Sequence, residues 1–298
     1  MDPFEISIYK RYQTIIEKTF LSQVHDPVFL QVREPHHVHL SDILDKYDAF
    51  CFDGYGTLYN RGSFVYPGAL EWFRMLRASG KLVRLVTNAA SNTDDVLAAE
   101  ADARGFDFTA EETISSGSLL KEFVSSRGSF ASEAYYIGRA TGVNVLATCG
   151  ISAVENPETP VVAVSSSTAT DEMFAHAVEI LSRPGATLLV LNSDAWAPNI
   201  DGSRIPVSGA LSERLRLASG ATTYYFGKPF PAIWNRVRAS LPEKARVLMI
   251  GDTLGTDVYG AYVAGFDSAL VIGRNVPAED LRADEAVLGV RPTYYLNP

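Results

Sequence analysis

Four segments of the chain place acidic, basic or hydroxyl side chains directly after an apolar run. Asp53 follows AFCF, Thr87 and Asn88 follow LVRLV, Lys228 follows YYFG, and Asp252 and Asp257 lie in GDTLGTD after VLMI. Apolar runs of this length are typical of buried strands, and the loops at the carboxyl ends of parallel strands meet at one edge of a sheet. We therefore expect these side chains to converge on one site.

The residue types at these positions suit the transfer of a phosphoryl group to a carboxylate. Asp53 is the candidate nucleophile, since a carboxylate can accept a phosphoryl group and form an acyl phosphate that water hydrolyses. Lys228 offers a compact positive charge, and the Thr87 hydroxyl and Asn88 backbone amide can hold phosphate oxygens. The sequence thus predicts groups that bind and attack a phosphate.

GDTLGTD is the most specific of the four segments, because it holds two carboxylates five residues apart across a glycine turn. Asp252 and Asp257 would repel each other unless a cation or a lysine lay between them. Carboxylate oxygens are the ligands that Mg²⁺ prefers, and a dianionic phosphate approaching Asp53 also requires a cation. We therefore expect a Mg²⁺ ion that bridges Asp53 and the phosphate.

The elements that position these residues alternate between strands and helices. YDAFCFD predicts a strand, PGALEWFRMLRAS a helix and KLVRLVTN a strand, and the alternation restarts at AYYIG. This pattern favours an α/β fold, a Rossmann-like doubly wound parallel sheet with an inserted α/β domain. The predicted boundaries are 1–41 for an N-terminal helical extension, 42–129 and 222–298 for the core, and 130–221 for the inserted domain, which the family resemblance described below identifies as a cap domain.

The segment before the core has two features whose role stays open. Apolar residues spaced at a helical period predict an amphipathic helix over Ile6 to Phe20, with Leu21 on the same face. EPHHVHL then brings together His36, His37 and His39, a spacing that could bind metal but that a solvated loop explains equally well.

Composition limits the class of partner. The chain has 298 residues and a formal net charge of −9, so its field would repel nucleic acid and anionic lipid. It contains no run of roughly 18 apolar residues and no signal-peptide pattern, and its two cysteines form no CxxC pair. We expect a cytoplasmic protein without nucleic-acid or membrane partners.

The motifs resemble a known family. FDGYGTLY, LVTNAAS, FGKPFPAIW and LMIGDTLGTDVYGAYVAG are similar to the four motifs of the haloacid dehalogenase superfamily. TNAASN, GKP and GDTLGTD resemble the class IIA capped enzymes, which include NagD-like, para-nitrophenyl phosphatase and phosphoglycolate phosphatase proteins. The resemblance covers about residues 42–275 and implies a hydrolase that acts on a small phosphorylated metabolite.

The resemblance also implies a role for individual residues. By it, Asp53 is the nucleophile, the Tyr55 backbone carbonyl and the Asp252 carboxylate are Mg²⁺ ligands, and Asp257 supports the metal. Phosphate would be held by Thr87, Asn88 and Lys228. A homodimer formed through the cap is a further expectation, and the N-terminal helix is another surface that could form it.

By the same resemblance, the cap closes over the site and selects the substrate. NSDAWAPNIDG is similar to the specificity loop of such caps, which makes Asn192, Asp194 and Trp196 candidate substrate contacts. A surface turn with Trp196 as an anchor in the core of the cap explains the same residues equally well. Arg139 could meet an acidic group of the substrate, or it could lie on a solvated face.

Tyr55 departs from the family pattern, because most phosphatases of the superfamily carry there an Asp that protonates the leaving group. Such acid–base help contributes roughly 10²–10⁴ in rate, and a phenol cannot replace a carboxylate in both halves of the cycle. We favour a slow phosphohydrolase, or one restricted to good leaving groups, in which Tyr55 and Lys228 complete the catalytic set.

Two alternatives remain open. DxYGT also resembles the first motif of 2-haloacid dehalogenases, whose chemistry needs no metal and would leave Asp252 and Asp257 without a role. A catalytically weak module that binds a phosphorylated metabolite is the other alternative. Phosphonate hydrolysis is disfavoured, because it would need a cap lysine and the chain has no Lys between Ser125 and Ala221.

Overall fold

The computed structural model describes residues 1–19 and 34–297. The α-helices of these residues are α1 (Pro3–Thr19), α2 (Ala69–Ala78), α3 (Asp94–Asp102), α4 (Leu119–Ser125), α5 (Gly142–Ala147), α6 (Asp171–Leu181), α7 (Ser208–Ser219), α8 (Pro231–Ala239), α9 (Tyr259–Ala264) and α10 (Leu281–Leu288). A 3₁₀ helix spans Leu40–Lys46, and a π-helical turn spans Leu254–Val258.

The strands are β1 (His36–Val38), β2 (Ala49–Phe52), β3 (Leu82–Thr87), β4 (Thr113–Ser115), β5 (Glu133–Ile137), β6 (Ser152–Ala153), β7 (Val161–Val164), β8 (Thr187–Val190), β9 (Trp196–Pro198), β10 (Arg204–Pro206), β11 (Thr222–Tyr225), β12 (Val247–Gly251), β13 (Asp267–Val271) and β14 (Tyr294–Leu296).

The larger sheet has seven strands in the order β1-β14-β13-β12-β2-β3-β4, and every pair is parallel. All four residues of β2 are buried, with Phe50 and Phe52 in one apolar cluster and Ala49 and Cys51 in another. A strand buried on both faces needs helices on both sides of its sheet. The predicted doubly wound α/β fold is thus confirmed.

A smaller parallel sheet has the order β11-β8-β7-β5-β6, and β9 and β10 form an antiparallel hairpin. One face of this sheet packs with α6 and α7 around Val162, Val164, Leu188 and Leu215. The boundaries 130–221 of the cap stay a prediction. Strand β11 pairs with β8 in the smaller sheet, although it falls beyond the predicted boundary.

The N-terminal segment is more closely integrated than an appended helix would be. Helix α1 ends at Thr19 in the described part of the chain, and Phe20 and Leu21 of the predicted helix lie outside it. Strand β1 pairs with β14, so His36 and His37 belong to the edge of the larger sheet and not to a loop. Among the described residues, the three histidines form no cluster close enough to hold a metal.

The expected absence of a membrane-spanning segment can be compared with the length and composition of the helices. In residues 1–19 and 34–297, no helix has both the length and the apolar character needed to span a bilayer. The expectations about nucleic acid, a homodimer and cytoplasmic location stay predictions.

Candidate active site

The central strands of the larger sheet carry the predicted site residues at their carboxyl ends. Strand β2 lies between β12 and β3, so Asp53 lies between Asp252, which follows β12, and Thr87, which ends β3. Lys228 reaches the same place from the segment after β11 and is 1% exposed. The structure therefore brings the predicted core residues of the site together, and all of them are buried.

Lys228 forms ion pairs with two of the carboxylates. Its Nζ lies 2.6 Å from Asp53 Oδ1 and 2.7 Å from Asp257 Oδ1. Burial by itself lowers the pKa of Lys228, but the carboxylates of Asp257, Asp53 and Asp194 outweigh that effect and raise it above its ordinary value. The lysine is therefore positively charged throughout the neutral range.

One lysine does not neutralise the acidic group around it. Burial raises the pKa of Asp53 to about 7, opposed by Lys228, and burial with the nearby Asp53 and Asp257 raises that of Asp252 well above its usual value. Carboxylate oxygens of Asp53, Asp252 and Asp257 lie within 4.8 Å of one another. Asp252 Oδ2 is buried without a hydrogen-bond partner. An unpartnered carboxylate oxygen in an anionic cluster fits a divalent cation.

Asp257 shapes the turn that carries Asp252. Its Oδ2 accepts hydrogen bonds from the backbone N–H groups of Asp252 and Thr253, at 3.1 and 3.0 Å. Across the site, Gly56 has a φ of +99°, and a Cβ on it would lie 2.0 Å from Asp252 Oδ2. The glycine after Tyr55 is therefore required both by its backbone conformation and by the space that Asp252 occupies.

Asn88 connects three parts of the site through its side chain. Its Oδ1 accepts the backbone N–H of Lys228 at 2.7 Å, and its Nδ2 donates to the Lys228 carbonyl at 3.0 Å and to Asp194 Oδ1 at 2.8 Å. Sequence reasoning assigned a role only to the Asn88 backbone amide. The side chain also orients Lys228 and fixes it relative to the loop after β8.

The loop after β8 borders the cavity that Asp53 lines. Asn192 and Asp194 line the same cavity of about 150 Å³ as Asp53, and Asn192 Oδ1 accepts the backbone N–H of Asp194 at 2.8 Å. Burial raises the pKa of Asp194 to about 6, opposed by Lys228 and Asn88. Trp196 packs edge-on against Phe4 of α1, with ring centroids 6.3 Å apart. Trp196 thus packs against the N-terminal helix and not within the core of the cap as the packing alternative expected, and Asn192 and Asp194 as substrate contacts stay a prediction.

The phenol of Tyr55 points to a partner on α3. Its hydroxyl donates to Glu100 Oε2 at 3.2 Å, and its ring packs edge-on against Tyr59. Burial and the Glu100 carboxylate raise the pKa of Tyr55, which makes the phenol a weaker acid. Sequence reasoning missed Glu100, since nothing in the spacing of α3 marks it as a partner of Tyr55.

The cavity also has a basic side. Arg61 and Arg139 line it, as do Ser165, Ser166 and Ser167 of the loop after β7. Arg139 is exposed, and among the described residues no carboxylate forms an ion pair with its guanidinium. It lies near enough to Tyr55 to lower the pKa of that phenol in part. The part of the cavity that Arg61 and Arg139 line can therefore receive a second anionic group.

Comparison with known proteins connects this site to a family. The model of haloacid dehalogenase-like hydrolases matches residues 50–152, and a HAD-hydrolase-like model matches residues 225–297. Chronophin of Mus musculus is 29% identical over 252 residues, which cover 78% of this chain and 83% of chronophin.

Solved structures support the same relationship. A possible sugar phosphatase of Cytophaga hutchinsonii has a TM-score of 0.77 at 24% identity, over 88% of this chain and 98% of that one, and so shows the shared fold. A glycerol phosphate phosphatase of Mycobacterium tuberculosis, solved with calcium, has a TM-score of 0.68 at 27% identity, over 85% of this chain and 74% of that one. The resemblance of the motifs is confirmed, and the chain belongs to the haloacid dehalogenase-like hydrolases.

Proposed function

We propose that the protein is a Mg²⁺-dependent phosphohydrolase that acts on a small phosphorylated metabolite through an aspartyl-phosphate intermediate on Asp53. The observation that carries this proposal is the buried arrangement of Lys228 between Asp53 and Asp257, beside the unpartnered Oδ2 of Asp252. Several of the similar proteins are named as phosphatases, and the glycerol phosphate phosphatase was also solved with magnesium.

In the first half of the reaction, a carboxylate oxygen of Asp53 attacks phosphorus, the bond from phosphorus to the leaving oxygen breaks, and Asp53 becomes an acyl phosphate. Lys228, the Thr87 hydroxyl and the Asn88 backbone N–H hold the phosphate oxygens as charge develops on them. In the second half, water attacks phosphorus and the bond to Asp53 breaks, which regenerates the carboxylate and releases phosphate.

Asp53, Asp252 and the backbone carbonyl of Tyr55 would hold Mg²⁺, with Asp257 supporting Asp252 through the turn between them. The ion supplies charge neutralisation between the anionic nucleophile and the dianionic phosphate. The dehalogenase alternative gives this acidic cluster no role, so the cluster favours the phosphohydrolase.

Leaving-group preference follows from Tyr55. Its hydroxyl is hydrogen-bonded to Glu100 and its pKa is raised, so the phenol is a poor proton donor to a departing alkoxide. Position 55 also offers no carboxylic acid that could donate the proton instead. Aryl and acyl phosphates need less protonation, since their leaving groups are weaker bases. We therefore expect these phosphates to be hydrolysed much faster than alkyl phosphates.

The experiment that tests the proposal measures phosphate release from para-nitrophenyl phosphate, acetyl phosphate and glycerol phosphate, with Mg²⁺ or with EDTA. We expect fast, EDTA-sensitive release from the first two compounds. Phosphate release that persists in EDTA would reject the role of Mg²⁺, and chloride release from 2-chloropropionate without phosphate release would favour the dehalogenase. Tight binding of a phosphorylated compound without turnover would favour the binding module.

Mg²⁺ is expected to stabilise the fold. A ligand that binds only the folded state at 100 times its Kd contributes about 2.7 kcal/mol, which for a chain of this size raises Tm by roughly 5–10 °C. Asp252→Asn should remove this Mg²⁺-dependent rise without lowering the Tm of the metal-free protein, because it relieves repulsion among buried carboxylates. Thermal unfolding with and without Mg²⁺ measures both quantities, and a full Mg²⁺ response in the variant would place the ion elsewhere.

Arg139 is expected to favour substrates with a second anionic group. Arg139→Ala should raise KM by about tenfold for a phosphate that also carries a carboxylate, since a hydrogen bond to a charged group contributes about 1.5 kcal/mol or more. KM for an uncharged alcohol phosphate should change little. Arg74→Ala, which removes the same charge from the exposed face of α2, is the matched control. An unchanged KM for both substrates would assign Arg139 to the solvated face, and an equal rise in both would assign it to the phosphate that they share.

A further inference from the structure

Helix α1 lies outside both segments matched by the family models, yet it packs against the turn that carries the metal carboxylates. Its residues Ile8, Tyr9, Tyr12 and Ile16 are buried with Leu254 and Val258 of the π-helical turn. A Cβ on Gly255 would lie 2.4 Å from the Tyr9 ring. The helix therefore rests directly on the segment between Asp252 and Asp257.

A continuous series of hydrogen bonds leads from α1 to Asp252, and we call it the Glu5 chain. Arg204 Nη2 donates to Glu5 Oε1 at 2.6 Å, and Arg204 Nε donates to Asn275 Oδ1 at 2.8 Å. Asn275 Nδ2 donates to Thr253 Oγ1 at 2.6 Å, and Thr253 Oγ1 donates to Asp252 Oδ1 at 3.0 Å. The chain thus joins the N-terminal helix, the β9–β10 hairpin and the loop after β13 to one candidate metal ligand.

The direction of the donors in the Glu5 chain is fixed. An arginine can only donate, so Arg204 makes the Asn275 oxygen an acceptor and turns the Asn275 amide toward Thr253. The Thr253 oxygen accepts that N–H, and its own proton is then available for Asp252. Asp252 Oδ1 is thereby occupied, and the oxygen without a partner is Oδ2. The hydrogen bonds of the Glu5 chain therefore leave Oδ2 of Asp252, and not Oδ1, free to bind a cation.

A contribution to the stability of the fold explains the Glu5 chain less well than a role at the metal site does. The Glu5 side chain is fully buried, and Arg204 is 17% exposed. A buried ion pair stabilises a protein no better than a well-packed apolar pair on average, so a gain in stability does not by itself account for the Glu5–Arg204 pair. Here the pair continues through Asn275, which is 1% exposed, to the metal site. Partners that orient metal-binding carboxylates commonly affect metal affinity by 10–100-fold.

We infer that Glu5 is a positioning residue of the metal site, which acts through Arg204, Asn275 and Thr253 to hold Asp252 with Oδ2 turned toward the cation. The inference rests on the proposed function only in taking Mg²⁺ as that cation. It gives the N-terminal helix a role in metal binding that the family motifs do not contain.

The test is a double-mutant cycle read by the Kd for Mg²⁺, measured by calorimetry on the full chain without substrate. Thr253→Val should weaken Mg²⁺ binding by about tenfold, and Glu5→Gln by roughly three- to tenfold. Because both act through one series of bonds, the double variant should bind Mg²⁺ no more weakly than Thr253→Val alone. Multiplication of the two effects, or an unchanged Kd in Glu5→Gln, would overturn the inference.

Two further variants separate positioning from folding. Thr253→Ser keeps the hydroxyl that Thr253→Val removes, so its Kd for Mg²⁺ should lie within about twofold of the original value. A merely structural role for Thr253 does not require this recovery. Ile16→Ala loosens α1 without touching the Glu5 chain, so it should lower Tm and leave the Kd unchanged. Equal weakening by Ile16→Ala and Glu5→Gln would assign the effect to packing. Since no substrate is present, failure of phosphate release would reject the proposed function and leave this test intact.

Discussion

Asp53→Asn is expected to reduce phosphate release by at least about 10⁴-fold, the order of loss seen when a covalent nucleophile is removed. An amide oxygen is a much weaker nucleophile than a carboxylate and cannot form the acyl phosphate. The variant should fold normally, because Lys228 keeps its ion pair with Asp257 at 2.7 Å and the buried acidic cluster loses one negative charge. The initial rate with para-nitrophenyl phosphate and Mg²⁺ measures the loss.

Asp48→Asn provides the matched control for this substitution. Asp48 lies just before the same strand, but its carboxylate is exposed and pairs with Arg246 on the surface. We expect this variant to release phosphate at the original rate, since exposed ion pairs contribute little to stability. If Asp53→Asn kept more than a tenth of the activity, the nucleophile would have to be sought elsewhere.

Tyr55→Asp is expected to raise the hydrolysis of alkyl phosphates by about 10²-fold, the lower end of the range for general acid–base catalysis. The Asp would restore a carboxylic acid two residues after the nucleophile, where the leaving oxygen departs. Aryl phosphates should gain much less, because their leaving groups need little protonation. The measurement is the ratio of kcat/KM for glycerol phosphate and para-nitrophenyl phosphate.

Tyr55→Asn distinguishes the added acid from the mere loss of the tyrosine. Asn has nearly the shape of Asp and also frees Glu100 from the Tyr55 hydroxyl, but it cannot transfer a proton. We expect no selective gain for alkyl phosphates in this variant. A similar gain with Asn and Asp would indicate that the tyrosine ring obstructs larger substrates, and that proton donation is not what the site lacks.

The central part of the fold could be predicted from the sequence because its signals are local. AFCF, LVRLV and VLMI are continuous apolar runs, and they form β2, β3 and β12 at the centre of the larger sheet. The edge of that sheet was not predictable in the same way. Strand β1 has three residues and pairs with β14, so its position depends on a contact between distant parts of the chain that leaves no periodic pattern.

The candidate site also contains residues that local sequence signals could predict and contacts that they could not. Asp53, Thr87, Lys228 and Asp252 could be located, since the end of a strand fixes where its next residue lies. The side-chain bonds of Asn88 and the Glu5 chain could not, because each joins residues far apart in sequence. One signal did exist for Glu5. It lies three residues before Ile8, on the buried face of α1, where an acid is out of place unless it has a partner.

The Asn88 side chain links the position of the loop after β8 to the position of Lys228. Its amide donates both to Asp194 in the loop after β8 and to the carbonyl of Lys228. Any coupling between the two is reciprocal: if the position of Asp194 stabilises that of Lys228, the position of Lys228 stabilises that of Asp194 by the same amount. A substrate too short to contact the loop after β8 would bind through its phosphate and still be hydrolysed slowly. Its poor performance would then appear in kcat more than in KM.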